Sequence, residues 1–120
     1  MVRLNAGSGA VEVFSDSGAL QWSGKPLGYD ASVVLPISGT NDAIVLLNPD
    51  AYRAGSFRNL LRVSADGSVM WRAELPGREG DDAYVAVRWA GAQLLANTWS
   101  TYLVRLDVDS GRILEATFTK

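Results

Sequence analysis

The residues with the most chemical potential are the three carboxylates of PGREGDDAY at 76–84, where Glu79, Asp81 and Asp82 lie beside two glycines. Two carboxylates that share a proton can act as acid and base, as in glycoside hydrolysis, but only where an apolar wall keeps one protonated. This connector is polar and Gly-rich, so its carboxylates are expected to be solvated. They then form a negative rim suited to a basic partner, not a proton relay. In DVDSG, Asp107, Asp109 and Ser110 approach the alternate spacing with which a calcium loop opens. The further oxygens that calcium needs, including a closing bidentate Glu, are missing, and a turn bonded by its own side chains accounts for the same residues. Asn5, Gly7, Ser8 and Gly9 make a glycine-rich stretch, but a phosphate loop needs a helix and a Lys after it, and VEVFSDSG is strand-like.

The chain contains no histidine and no cysteine. Serine–histidine catalysis, thiolate nucleophiles, disulfides and Cys/His zinc sites are therefore excluded for want of donor atoms. A hydrolase working with Asp and a water is a further class, but no carboxylate pair sits in a pocket-like context to serve it. The expectation is a protein that is not an enzyme and needs no cofactor and no metal.

Binding chemistry is better represented. NPDAYRAGSFRN, 48–59, is the longest irregular connection and carries Tyr52, Arg53, Phe57 and Arg58 among turn formers. Aromatic and Arg side chains are the commonest interface anchors, and long loops on rigid sheets often present them. The plainer alternative is that Tyr52 and Phe57 pin the loop to the sheet while the arginines face water. Trp99, in ANTWSTY, falls in a two-residue turn that leaves its indole exposed. There it could stack on a sugar, fill a partner's pocket or cross to another subunit. A turn shifted by a residue would instead place it in the core, where Trp22 and Trp71 are expected.

The elements that must carry these residues are strands. Short runs of alternating apolar and polar residues end in clusters of Gly, Asn, Asp or Ser, the period-two pattern of half-buried strands. Eleven are expected, over 2–4, 11–14, 19–22, 32–36, 43–47, 60–64, 68–75, 84–89, 93–98, 102–107 and 112–118, with no helix. The short turns between neighbours make the fold an all-β antiparallel meander.

Within it, VFSDSGALQW at 13–22, LRVSADGSVMW at 61–71 and VRLDVDSGRIL at 104–114 share one grammar: strand, turn closed by Gly, apolar strand. Gly18, Gly67 and Gly111 lie 49 and 44 residues apart, the spacing of a repeated four-stranded unit. The 120 residues are thus one domain, with an N-terminal hairpin region at 1–31 and full units at 32–75 and 83–118, about two and a half in all.

LVRLDVDSGRIL resembles the blade signature of the pyrroloquinoline-quinone-type propeller repeat, roughly L-D-x-x-T-G-x-x-L-W, and LLRVSADGSVMW resembles a shortened form of it. The resemblance implies blade-like four-stranded sheets. It carries over no quinone-pocket residues, and the last unit departs from it, with Glu115 after Leu114 where the consensus has Trp.

A propeller closes with about four to eight blades, so two and a half must pack as an open sandwich or be completed by other copies. Open edges and half-covered faces favour self-association or a partner. Thirteen acidic residues face eleven basic ones, nine of them arginines that read as scattered on solvated strand faces, so nucleic acid is not an expected partner. No basic leader and no run of about 18 apolar residues appears, which excludes a membrane span by helix and suggests the cytoplasm. The expected role is protein interaction or self-assembly, with a small acidic inhibitor of the immunity type as one version. A carbohydrate or small-ligand module using exposed aromatics is the alternative.

Overall fold

The run AIVLL has no polar side chain, and a strand of this kind must be covered on both faces. In the computed structural model, which describes residues 1–51, 56–77 and 82–119, it forms β5 (Ala43–Leu47) and every one of its residues is buried. Alternation divides them: Ala43, Val45 and Leu47 face one apolar layer, Ile44 and Leu46 the other. Each fully buried Leu, Ile or Val side chain stabilises the fold by about 1.5–3 kcal/mol.

Around it lies the middle sheet, β4 (Ala31–Pro36), β5, β7 (Leu60–Val63) and β8 (Val69–Arg72), in that order. One face packs on the first sheet, β1 (Val2–Asn5), β2 (Ala10–Phe14) and β3 (Leu20–Gly24), through Val2, Val11 and Val13. The other packs on the last, β9 (Asp82–Ala90), β10 (Gln93–Thr98), β11 (Tyr102–Leu106) and β12 (Ile113–Phe118), through Tyr84, Leu94, Ala96, Val104 and Leu106. The expected all-β antiparallel meander of blade-like sheets is thus observed. It is an open stack of three sheets, the first formed by the three strands expected within 1–31. A twelfth strand, β6 (Ser56–Phe57), was not anticipated and lies parallel along the edge of β9.

The repeated glycines explain how the sheets are joined. Gly67 and Gly111 have φ of +87° and +75°, conformations that disfavour any side chain. Each also receives a tryptophan from the preceding sheet. A Cβ on Gly67 would stand 2.2 Å from Trp22 Cε2, and one on Gly111 would stand 2.5 Å from Trp71 Cδ2. Both tryptophans lie four residues after the glycine of their own hairpin; at the third such position stands Glu115. Gly18, in the first sheet, has nothing within 4 Å of its Cβ direction.

Polar joints reinforce these contacts. The fully buried amide of Asn59 donates to the carbonyls of Leu47 (2.9 Å) and Tyr84 (2.8 Å) and accepts from the Tyr84 N–H (2.8 Å). Arg62, far from being solvated as the scatter of arginines suggested, is 7% exposed. Its guanidinium pairs with Asp42 (2.8 Å) and donates to the Val108 carbonyl (3.0 Å), tying the middle sheet to the last. It lies on the face of β7 that Leu60 also uses, so the clip is built into the sheet contact itself.

The two outer faces are charged. Arg3 and Glu12 stand opposite each other on the first sheet and pair at 3.1 Å, with the Arg3 guanidinium 4.6 Å from the Phe14 ring. Arg105 and Glu115 are opposite partners on the last sheet, on the face away from Val104 and Leu106. The connections fall at two ends. At one end, bonds run from Asn48 to Asp30, from Ala31 to Gly9 and from Trp99 to Ala83. The other end holds the hairpin turns at 64–67 and 107–111 and the Arg62 clip. No helix among the described residues is long and apolar enough to cross a membrane.

Candidate functional site

The β10–β11 turn places Trp99 at the end that gathers the long connections, and its side chain is 74% exposed, the most of any large apolar residue described. The turn beneath it is firmly held. Asp82, 6% exposed, accepts from the Ser100 N–H (3.0 Å), the Ser100 hydroxyl (2.6 Å) and the Ala83 N–H (2.9 Å). The Trp99 N–H donates to the Ala83 carbonyl at 2.9 Å. Thr101, which follows, takes φ +76°, a left-handed conformation unfavourable for a β-branched residue. Its carbonyl accepts from the Thr119 N–H (2.9 Å) and hydroxyl (2.5 Å), while its own hydroxyl is buried without a partner among the described residues. Leu27, the other non-glycine residue with positive φ among those described, also lies at this end and is 45% exposed. An indole presented on an over-determined, strained turn is suited to contact and contributes little to the core.

Several residues expected in the site lie elsewhere. Asp82 does not join an acidic rim, because its carboxylate is consumed by the turn it supports. Phe57 is not a free anchor: it is 3% exposed and stacks against Tyr29, ring centres 4.9 Å apart. β6 pairing carries it inward, which is the pinning alternative for this loop. Tyr52, Arg53, Glu79 and Asp81 lie outside the described residues.

Arg58 lies on a cleft between the middle and last sheets, of about 360 Å3, lined also by Arg72, Glu74, Gly111, Arg112 and Ile113. Arg58 Nη2 donates to the Arg72 carbonyl (2.7 Å), and Arg72 Nε returns a bond to the Arg58 carbonyl (3.1 Å). Arg72 and Arg112 carried no signal in the sequence, because only the sheet stacking brings them beside Arg58. Beneath the cleft, the Tyr84 hydroxyl donates to the Glu74 carbonyl at 2.5 Å. Burial, with help from the charges of Asp82 and Glu74, pushes this phenol well above its ordinary pKa. In DVDSG, Asp107 accepts from the Asp109 N–H (3.0 Å) and Ser110 from the Arg112 N–H (3.3 Å), a turn bonded by its own side chains.

Comparison with known proteins agrees with this architecture. Residues 11–118 match the family described as Domain of unknown function (DUF7957). The chain belongs to this family. Among curated proteins none matches it. Among solved structures, this DUF7957 domain is similar to BamB from Moraxella catarrhalis, with a TM-score of 0.64 and 20% sequence identity over 99% of this chain. The match covers 33% of the BamB chain, so the DUF7957 domain spans about a third of that length. At this identity the likeness concerns the fold alone. BamB is a propeller of the repeat type that LVRLDVDSGRIL resembles, which supports the blade-like relationship.

Proposed function

We propose that this DUF7957 domain is a non-enzymatic protein-interaction module whose contact surface is the loop end around Trp99. The observation that carries the reading is the 74% exposure of an indole whose turn is fixed from below by Asp82. Tryptophan is among the residues that contribute most per side chain to protein interfaces, and pre-fixing its turn reduces the ordering cost of binding. The charged outer faces favour contact through this end over stacking of one chain's sheets on another's. The partner is a second protein chain, and the absence of His and Cys from the sequence leaves few catalytic roles to compete with binding.

The test is affinity purification of the tagged protein from its own cells, in parallel with Trp99→Ala, with the native mass measured for both. A second chain in fixed ratio, retained by the wild type and lost by Trp99→Ala, is the expected result. A mass that is a multiple of 12.9 kDa and collapses in Trp99→Ala would make the partner another copy. Equal retention by both proteins removes the surface from consideration, and sugars protecting Trp99 from iodide quenching would return the carbohydrate alternative.

A further inference from the structure

We infer that the cleft between the middle and last sheets is a binding site for a phosphate monoester, held by Arg58, Arg72 and Arg112. Among the described residues, three guanidiniums line one cleft with a single carboxylate, Glu74, although the protein as a whole carries a formal charge of −2. Among the described residues, none of the three arginines has a carboxylate within ion-pair distance; the ion pairs belong to Arg3, Lys25 and Arg62. Like charges gathered without counter-charge repel one another, and an anion bound among them relieves that repulsion.

Two of the three arginines are also pre-positioned. Arg58 spends Nε and Nη2 on the carbonyls of Ala73 (3.3 Å) and Arg72 (2.7 Å), which fixes its plane and leaves Nη1 to donate. Arg72 spends only Nε, on Arg58, leaving both terminal nitrogens. Arg112 lines the cleft and makes no side-chain bond among the described residues, which leaves its whole fork to donate. Its backbone is set by the turn that Trp71 grips: Gly111 lies against the indole, and Trp71 Nε1 donates to Val108 O at 2.8 Å. The held forks of Arg58 and Arg72 match the oxygens of phosphate better than a flexible ammonium does.

The charge count selects the ligand class. Among the described lining residues, three cations against Glu74 leave two positive charges, which a phosphate monoester neutralises near pH 7, when it carries close to two negative charges. Its three terminal oxygens give each arginine an acceptor, whereas a carboxylate offers two. The volume is at the lower end for small-molecule sites, enough for the phosphate and the atoms next to its ester oxygen. Glu74 leaves a wall that disfavours longer polyanions and can accept a hydroxyl or ammonium donor from the esterified group.

Calorimetric titration of the full chain with phenyl phosphate, succinate and a short phosphoserine peptide, at constant ionic strength, tests this. Phenyl phosphate is expected to saturate with a Kd of about 1 mM or tighter. Arg112→Gln, which breaks no side-chain bond among the described residues, should weaken it about tenfold at unchanged melting temperature. Glu74→Gln should tighten it. A peptide that binds more tightly than phenyl phosphate locates the ester on a protein, and one that does not locates it on a small molecule. The inference is overturned if phenyl phosphate does not saturate, if Arg112→Gln binds it equally well, or if succinate binds as tightly.

Discussion

The indole of Trp71 lies directly on the backbone of Gly111, with Nε1 bonded to the Val108 carbonyl three residues earlier at 2.8 Å. The Trp22 ring lies in the same way against Gly67. Each sheet thus grips the hairpin of the next through one aromatic ring and one residue that must lack a Cβ. Gly111→Ala and Gly67→Ala are each expected to cost about 2–4 kcal/mol in urea unfolding, since strained φ adds to an unavoidable overlap. Gly18→Ala, where φ is +86° but no atom lies within 4 Å, should cost only about 1–2 kcal/mol. Equal losses at all three positions would mean that backbone strain alone decides and that the indoles are not gripping.

These joints were half legible in the sequence. The recurrence of Gly18, Gly67 and Gly111 marked the hairpins, and the alternation of Val11 and Val13, or the unbroken AIVLL, marked which faces are covered. Which ring meets which glycine depends on sheet stacking, and no local pattern encodes it. The arginines were misread for the same reason: Arg62 looks like any polar residue between Leu61 and Val63, and its burial follows from Asp42 and Val108 arriving from other turns. Phe57 and Asp82 looked like loop residues because a two-residue parallel pairing leaves no periodic trace. For Trp99 the sequence left two placements open, an exposed turn and the core, and its indole is exposed.

Arg62 should prove the most costly charge to remove. Its side chain is 9% exposed and that of Asp42 17%, so truncation leaves a nearly buried carboxylate unpaired. Arg62→Ala is expected to lose about 2–4 kcal/mol. The second contact, to Asp109 at 3.6 Å, involves a side chain 95% exposed, and Asp109→Asn should change stability by less than about 0.5 kcal/mol. Chemical denaturation of both variants checks the contrast, which fails if Asp109→Asn is as damaging as Arg62→Ala.

Tyr84 predicts the alkaline limb of stability. Burial raises its phenol in the folded state, so above the ordinary value of about 10 the unfolded chain releases a proton that the native chain keeps. The unfolded state then binds fewer protons, and stability falls as pH rises past that point. Tyr84→Phe loses the hydrogen bond to the Glu74 carbonyl, about 1 kcal/mol at neutral pH. Its deficit relative to wild type should shrink above pH of about 10, where the wild type alone pays this proton term. A deficit constant from pH 7 to 11 would show that Tyr84 ionises as readily in the fold as outside it.

Asp82 and Trp99 separate the support of the turn from what it presents. Asp82→Ala leaves the Ser100 and Ala83 amides and the Ser100 hydroxyl without their acceptor in a site that is nearly closed to solvent. A loss of about 2–3 kcal/mol is expected. Trp99→Ala removes a side chain that touches little of the fold and should cost less than about 0.5 kcal/mol. In the wild type, iodide should quench a share of the tryptophan emission that is absent from Trp99→Ala, because Trp71 is buried and Trp22 and Trp89 are partly covered. A large loss of stability in Trp99→Ala would make the indole a structural anchor, and the loop end would lose its claim to be the contact surface. Near-neutral stability with accessible emission leaves an expensive, rigidly mounted aromatic ring that the fold itself does not need.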